Sequence, residues 1–426
     1  MRDNLYAGKG AIANLSALNK GLGALDDALD AAPIQELDWN LLREDLSLPS
    51  AVLYQDKLLH NLRWMQRFIA AYGLNLAPHG KTTMAPKLFE MQLGSGAWGI
   101  TLATAQQTKV AYTHGVRRVL MANQLIGKQN MAVIAGLLYD PGFEFYCLVD
   151  SAEQVEQLGS YYSARGLSLR VLVELGVEGG RAGVRTEDQL ASVIEALARW
   201  KSSISLCGIE VYEGVLHDEP SIRAFLQRAV DVTKGLANEG HFQQEPILLS
   251  GAGSAWYDVV AEVFSEASLG ATVEIVLRPG CYLTHDAGAY REAQDRILKQ
   301  NPIAREMQSG LVPAMHVWAY VQSIPEAGKA IIGMGKRDAA FDSGLPIPAL
   351  HFRPGSAWPS TAPEHWIVIK MMDQHAYLQV HSGDDLRVGD MIAFDICHPC
   401  LTFDKWRTLP ILNADYQVID IVRTFF

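Results

Sequence analysis

Apolar runs of strand length alternate with amphipathic stretches of helical length from about residue 48 to residue 300. Near-continuous apolar runs predict buried parallel strands. The eight predicted strands are Leu74–Ala77, Ala97–Ala103, Arg118–Ala122, Glu144–Val149, Ser168–Glu174, Leu206–Tyr212, Pro246–Leu249 and Thr272–Leu277. The amphipathic stretches between them include Ala105–His114, Glu187–Trp200 and Pro220–Glu239. Eight such units within about 250 residues predict an α/β fold, a (β/α)8 TIM-type barrel.

An open, doubly wound parallel sheet is the alternative to a barrel. It usually has fewer strands, and no G-x-G-x-x-G motif opens a helix after the first predicted strand. The pattern changes after about residue 300, where predicted strands follow one another without helices between them. These strands are Met315–Val321, Lys329–Gly333, Trp366–Met372, Ala376–His381, Met391–Asp395 and Gln417–Val422. We therefore predict an N-terminal extension over residues 1–46, a barrel over 47–300 and a mostly antiparallel β domain over 301–426.

Charge and composition narrow the classes of partner. The chain has 36 basic and 47 acidic residues, and its net charge of −11 disfavours nucleic acid and anionic membranes. The longest apolar runs, such as Met131–Tyr139, are too short to span a bilayer. Five scattered cysteines do not form a disulfide framework, and the N-terminus lacks a signal-peptide pattern. These features favour a cytoplasmic protein with reduced thiols.

Candidate ligand-binding residues follow the predicted strands at their C-terminal ends, where barrel enzymes have their active sites. Taken singly, each has a structural explanation, such as a solvated lysine, a tight glycine turn, a surface ion pair or a core tyrosine. A functional site is indicated because a lysine, two arginines, an aromatic ring and glycine-rich turns occur on one rim. These residues are Lys81, Arg181, Tyr212, Ser250, Gly251, Gly253, Ser254, Arg278, Gly280, Cys281 and Tyr282.

This set resembles the fold-type III pyridoxal phosphate (PLP) enzymes, the alanine racemase-like barrels. The resemblance covers about residues 48–426 and is greatest to D-serine dehydratases, D-threonine aldolases and bacterial amino-acid deaminases. It implies that Lys81, in the segment APHGKTTMAPKL, carries PLP and acts as the catalytic base. The sequence departs from many members at Ala77 and Thr83, where those members have Arg and His.

The same resemblance implies a role for each remaining rim residue. The turn Gly180–Gly183 matches the family's G-R-x-G motif, whose arginine, here Arg181, approaches the phenolic oxygen of the cofactor. Tyr212 matches a ring stacked on the pyridine, and Arg278 matches the arginine that faces the pyridine nitrogen. The phosphate-binding turns match Ser250, Gly251, Gly253, Ser254, Gly280, Cys281 and Tyr282.

A second candidate site lies near the C-terminus, at His398 and Cys400. In an extended chain these two residues face the same way, and imidazole with thiolate suits Zn²⁺. The pair resembles the metal site of D-serine dehydratases, with Mn²⁺ and Mg²⁺ as alternative ions. Two other interpretations are open: a redox pair of Cys397 with Cys400, and a structural histidine beside buried cysteines.

Together, these residues favour a PLP-dependent, metal-assisted dehydratase of D-3-hydroxy amino acids such as D-serine, which releases a 2-oxo acid and ammonia. A metal would make the β-hydroxyl a better leaving group, whereas a racemase needs no metal. One alternative is a D-threonine-type aldolase, which would release glycine and an aldehyde. Others are a non-catalytic PLP carrier and a barrel without PLP. The resemblance also implies a homodimer that acts on a small D-amino acid.

Overall fold

The computed structural model describes residues 19–23, 34–267 and 273–426. The predicted extension over residues 1–46 is thus described only at 19–23 and 34–46. In these described residues, no helix is long and apolar enough to cross a membrane.

Strands and helices alternate in the first two thirds of the chain, and strands dominate the last third. The strands are β1 (Ser50–Tyr54), β2 (Asn75–Leu76), β3 (Ile100–Leu102), β4 (Arg118–Gln124), β5 (Glu144–Val149), β6 (Leu169–Leu175), β7 (Ile204–Val211), β8 (Ile247–Gly251), β9 (Val273–Leu277), β10 (Met315–Glu326), β11 (Lys329–Ile332), β12 (Ile347–Phe352), β13 (Ser360–Thr361), β14 (Ile367–Met371), β15 (Ala376–Gln379), β16 (Met391–Asp395), β17 (Thr408–Leu412) and β18 (Val418–Arg423). The α-helices are α1 (Gln55–Tyr72), α2 (Pro86–Gly94), α3 (Ala105–Thr113), α4 (Lys128–Leu137), α5 (Ala152–Ser163), α6 (Glu187–Arg199), α7 (Glu219–Asn238), α8 (Tyr257–Glu266), α9 (Ala289–Gln300), α10 (Pro302–Glu306) and α11 (Pro399–Phe403).

The eight strands β2 to β9 form one parallel sheet, which confirms the predicted barrel. Their order is β2-β9-β8-β7-β6-β5-β4-β3. The first and last strands of this order meet, because His79 pairs with Thr101 and the Thr101 N–H donates to the Pro78 carbonyl at 2.9 Å. The sheet is therefore a closed ring rather than the open sheet considered as the alternative.

Side chains from the strands fill the barrel, and helices cover its outside. The buried interior residues include Ala77, Leu120, Tyr146, Leu148, Leu172, Cys207, Leu248 and Val276. Several helices start where a side chain caps the first turn; Thr104, Ser151 and Asp218 accept backbone N–H groups of α3, α5 and α7. Because the interior is packed, space for a ligand remains at the C-terminal mouth of the barrel.

The second sheet is mostly antiparallel, as predicted, and it contains the six strands expected after residue 300. It also contains β12, β13 and β17, which the pattern did not predict. Strand β1 precedes the barrel in sequence but joins this sheet, where it pairs antiparallel with β10 and parallel with β17. The chain segment that forms the barrel is therefore flanked by two strands of the second sheet, β1 before it and β10 after it.

Candidate active site

A cavity of about 480 Å³ opens at the C-terminal mouth of the barrel. No aspartate or glutamate is among its lining residues, whereas Arg181 and Arg278 both line it. The lining comprises His79, Lys81, Thr82, Ala103, Ala122, Asn123, Arg181, Tyr212, Ala252, Gly253, Ser254, Arg278, Gly280, Cys281, Tyr290, His398 and Cys400. Both sequence-predicted sites therefore meet in one cavity, although more than 300 residues separate Lys81 from His398.

Lys81 lies in a single 3₁₀ turn, Gly80–Thr82, that follows strand β2. Gly80 fits this turn closely, since a Cβ there would come within 2.8 Å of the Ile100 and Phe89 side chains. Burial is the main cause that lowers the pKa of Lys81; Arg181 lowers it further, and Cys400 opposes this shift. A larger neutral fraction makes the amine a better nucleophile and base.

Tyr212 presents an aromatic face to the cavity directly after strand β7. The guanidinium carbon of Arg181 lies 4.9 Å from the centre of its ring, within cation–π distance. Among the residues that the structure describes, no carboxylate forms a salt bridge with Arg181. Arg181 is therefore available to an anionic group of a ligand.

Three hydrogen-bonding groups converge on one side of the cavity. The Ser254 hydroxyl accepts the N–H groups of Gly280 at 3.2 Å and Cys281 at 3.0 Å. A Cβ on Gly280 would come within 2.5 Å of Thr82 Oγ1 and 2.8 Å of the His79 carbonyl, so only glycine fits this close approach. A phosphate that replaced the Ser254 hydroxyl as acceptor would receive both amides and a hydroxyl donor beside a glycine.

The glycine turn after β8 has a different set of contacts from those predicted. The N–H groups of Ala252 and Gly253 donate to the buried carboxylate of Glu213, at 3.2 and 2.6 Å. Burial raises the pKa of Glu213 to about 7, and these N–H groups partly offset the shift. Glu213 thus fixes the conformation of this turn through two hydrogen bonds to its backbone.

Arg278 forms a buried ion pair with Glu210 at the inner wall of the cavity. Its Nη2 also donates to the Val211 carbonyl at 2.8 Å. Burial lowers the pKa of Arg278 to about 10, and Glu174 opposes this shift. The sequence analysis missed Glu210, because a charge inside an apolar strand gives no indication of its partner.

Three residues predicted to contact a phosphate lie behind the rim instead. The Ser250 hydroxyl donates to the Val276 carbonyl at 2.9 Å, and the Tyr282 hydroxyl accepts from Gln92 at 3.3 Å. A Cβ on Gly251 would contact the core side chains of Val211, Phe264 and Val260. Ser250, Gly251 and Tyr282 therefore support the rim but do not line the cavity.

His398 and Cys400 reach the cavity by a geometry that differs from the predicted one. The prediction of an extended backbone from His398 to Cys400 is wrong, because Pro399 is the first residue of helix α11 and His398 is its N-cap. Proline favours this position, since it lacks the N–H that the first turn leaves unpaired. The two side chains nevertheless remain in contact through a hydrogen bond.

The Cys400 thiol is surrounded by polar groups. Its sulfur lies 3.8 Å from the Cys281 sulfur and 3.5 Å from Thr82 Oγ1. Hydrogen bonds lower the pKa of Cys400, with that from Cys281 the largest, and the bond with Cys400 raises the pKa of His398 to about 9. The other nitrogen of His398, Nδ1, bonds Asp342 at 2.7 Å.

The redox interpretation of Cys397 with Cys400 receives no support from the geometry. The Cys397 thiol donates to the Leu345 carbonyl at 3.3 Å, whereas Cys400 contacts Cys281. The imidazole and thiolate of His398 and Cys400 are suitable zinc ligands, and both face the cavity.

The sequence analysis missed further lining residues. His79 precedes Lys81 by two positions, and its Nδ1 is buried without a hydrogen-bond partner. The pKa of His79 is lowered by burial first and by Lys81 next. Its spacing from Lys81 could have identified it, whereas Asn123 and Tyr290 carried no comparable signal.

Comparison with known families agrees with this architecture. Residues 54–274 match the family described as alanine racemase, N-terminal domain. Residues 314–412 match a putative serine dehydratase domain. The two matches correspond to the barrel region and to the second sheet with His398 and Cys400.

Individual relatives are distant but extend along most of the chain. A 3-hydroxy-D-aspartate aldolase of Paracoccus denitrificans is 24% identical over 371 residues, which cover 85% of this chain and 88% of that protein. A D-threonine aldolase structure from Filomicrobium marinum has a TM-score of 0.74 at 23% identity, over 91% of this chain and 97% of that one. D-threo-3-hydroxyaspartate dehydratase from Delftia sp. HT23 has a TM-score of 0.68 at 20% identity, over 91% and 99%. Because the first family match spans more than half of the sequence, this chain belongs to the alanine racemase N-terminal domain family, the fold-type III PLP barrels.

Proposed function

We propose that this protein is a PLP-dependent lyase that dehydrates a D-3-hydroxy amino acid to a 2-oxo acid and ammonia. The observation that carries the proposal is that Lys81 lies in the same cavity as the potential metal ligands His398 and Cys400. The names of the relatives support the lyase class, since they are aldolases and dehydratases of D-3-hydroxy amino acids. A non-catalytic carrier is disfavoured because these lyases match most of the chain.

The residues present fit PLP. Lys81 offers an amine of lowered pKa, Tyr212 an aromatic face, and the Ser254–Gly280–Cys281 cradle donors for a phosphate. When bound, PLP would withdraw electrons from the substrate Cα, and a divalent metal at His398 and Cys400 would polarise the β-hydroxyl.

The protein's own groups have separate tasks in this reaction. The Lys81 amine takes the Cα proton, because burial keeps a larger fraction of it neutral. Arg181 binds an anionic oxygen, since its guanidinium faces the cavity without a carboxylate partner in the described part of the chain. Loss of the Cα proton and the β-hydroxyl removes one water, and uptake of one water then releases ammonia from the remaining carbon skeleton.

The charges of the cavity support a substrate with a neutral β-substituent, such as D-serine or D-threonine. Lys81 is assigned as the base and Arg181 to an anionic oxygen of cofactor or substrate, and Arg278 already pairs with Glu210. Ala103, Ala122 and Asn123 complete this wall and carry no charge. Among the described residues that line this cavity, no unpaired cation remains for a second carboxylate.

Product analysis with a panel of D-3-hydroxy amino acids tests the reaction. We expect a 2-oxo acid with an equal amount of ammonia, and kcat/KM for D-serine or D-threonine at least about tenfold above that for 3-hydroxy-D-aspartate, which corresponds to about 1.4 kcal/mol. Glycine with an aldehyde would contradict dehydration and favour the aldolase named among the relatives. A preference for 3-hydroxy-D-aspartate would refute the charge argument.

Borohydride reduction followed by peptide mapping tests the assignment of Lys81. We expect the cofactor on the peptide that contains Lys81 and no label after Lys81→Ala. The Lys87→Ala variant is the matched control, because Lys87 lies on α2 in a salt bridge with Asp420 outside the cavity. Label on another lysine would contradict the assignment.

We also propose a homodimer, which sedimentation analysis of the purified protein tests directly.

A further inference from the structure

The pair His398 and Cys400 supplies only two protein ligands to a metal. Catalytic zinc sites usually have three protein ligands and leave the fourth position to water or substrate. A third donor is therefore expected close to the pair. The nearest candidates are the groups that contact Cys400, namely the Cys281 thiol and the Thr82 hydroxyl. Of these, thiolate is by far the better zinc ligand.

The distance between the two thiols matches that expected for a shared metal ion. The sulfur atoms of Cys281 and Cys400 lie 3.8 Å apart. Two thiolates on a tetrahedral Zn²⁺, each at about 2.3 Å, are about 3.8 Å from one another. Cys281 is buried at the cavity wall, and the two sulfurs are too far apart for a disulfide.

We propose that Cys281 is the third protein ligand of the metal, an inference that rests on the proposed function of His398 and Cys400. The three donors form a row in which Cys400 contacts both of the others. The three donors do not all lie within 4.8 Å of one another in the described structure, so side-chain rotation on metal binding would have to bring His398 and Cys281 together. The resulting Cys₂His site leaves one position open for the β-hydroxyl of the substrate.

A second group of three potential ligands lies elsewhere, at His365, His381 and Asp384. The two imidazole rings are stacked 3.8 Å apart and nearly parallel, so their nitrogen lone pairs do not converge on one point. Asp384 Oδ2 already accepts three hydrogen bonds, from His365, Trp366 and the His381 amide. This group is therefore explained as a structural cluster, and His381→Ala serves as a control for binding there.

Cobalt substitution distinguishes two thiolate ligands from one. Thiolate-to-Co²⁺ charge transfer gives a near-ultraviolet band whose intensity rises with the number of thiolates. It is measured as the difference between the Co²⁺-loaded and the metal-free holoenzyme. We expect Cys281→Ser and Cys400→Ser each to lose about half of the band and to weaken Co²⁺ binding at least about tenfold, since loss of even a hydrogen-bond partner of a ligand typically costs 10- to 100-fold. Cys397→Ser is the matched control and should leave the band unchanged.

Zinc-edge X-ray absorption provides a second, independent measurement. It should report two sulfur neighbours in the wild type and one in Cys281→Ser, with PLP content checked by absorbance. An undiminished charge-transfer band and two sulfur neighbours in Cys281→Ser would overturn the assignment of Cys281 as a ligand, without contradicting the metal site of the proposed function. A band and an affinity that survive both His398→Ala and Cys400→Ser would instead refute the metal site of the proposed function. Loss of binding in His381→Ala would move the metal to the structural cluster and overturn both.

Discussion

The carboxylate of Glu213 accepts the backbone N–H of Gly253 at 2.6 Å behind the rim of the barrel. The Ala252 N–H donates to the same carboxylate, so one buried side chain fixes the turn that borders the cavity. Glu213 is completely buried, and burial raises its pKa to about 7. The native protein consequently binds a proton at Glu213 more tightly than the unfolded chain does.

This difference predicts a pH-dependent stability. The unfolded pKa of glutamate is about 4.3, so between about pH 4.3 and about pH 7 the folded state holds more protons. The free energy of unfolding should therefore fall as pH rises through this window, by at most about 1.4 kcal/mol per pH unit, relative to Glu213→Gln. Guanidinium unfolding at several pH values measures it. The exposed Glu292→Gln variant is the control, and a wild type that parallels Glu213→Gln would contradict the prediction.

The cradle at Gly280 predicts a specific effect on cofactor binding. An alanine Cβ at this position would come within 2.5 Å of Thr82 Oγ1 and 2.8 Å of the His79 carbonyl, so the backbone must shift. We expect Gly280→Ala to weaken PLP binding at least about tenfold, which equals about 1.4 kcal/mol. Titration of the apoenzyme with PLP measures this. Gly235→Ala on α7 is the control, because its Cβ meets nothing within 4 Å.

Local patterns predicted the barrel because each of its strands is apolar along most of its length and is followed by a helical stretch. The pattern could not predict that β1 leaves the barrel, since its partners β10 and β17 lie more than 250 residues away. The buried strand Thr408–Leu412 was missed, and its proline, Pro410, weakens a strand signal.

The candidate site could be predicted for residues that directly follow a barrel strand, because that position alone places their side chains at the mouth of the barrel. Lys81, Arg181 and Tyr212 follow barrel strands and line the cavity as expected. Where the chain turns, the spacing of residues in the sequence did not predict where their side chains point. Pro399 starts a helix directly after His398, and the Ser250 hydroxyl donates to a carbonyl of the neighbouring strand. Contacts such as that between Cys281 and Cys400 depend on the relative placement of the two sheets, which no local pattern contains.

The ion pair of Arg278 with Glu210 predicts a large cost for removing one partner. Both side chains are buried, so Arg278→Met would leave an uncompensated carboxylate and lower the free energy of unfolding by about 3–5 kcal/mol. The double variant Arg278→Met with Glu210→Gln should recover much of this loss, because no charge then remains buried. Guanidinium unfolding compares the variants.

An exposed pair provides the matched control for this prediction. Arg199 bonds Glu156 at 2.6 Å on the barrel surface, and both side chains are partly solvated. Arg199→Met should therefore cost at most about 1 kcal/mol. Equal losses in Arg199→Met and Arg278→Met would show that burial does not determine the cost.

The last prediction concerns the hydrogen bond between Asp342 and His398. Asp342 Oδ2 lies 2.7 Å from His398 Nδ1, so the ring presents its other nitrogen, Nε2, toward the proposed metal position. A carboxylate behind a ligating histidine fixes the orientation of the ring and increases its basicity, and losing such a partner typically costs 10- to 100-fold in metal affinity. We expect Asp342→Asn to weaken Co²⁺ and Zn²⁺ binding by about this factor, with the thiolate charge-transfer band retained at saturation because both cysteines remain.

Asp404→Asn is the matched control: it removes the same charge near His398, but Asp404 forms its salt bridge with Lys405. Chelator competition measures both affinities. Equal losses in the two variants would assign the effect to charge alone, whereas a loss confined to Asp342→Asn would support orientation of His398 by this hydrogen bond.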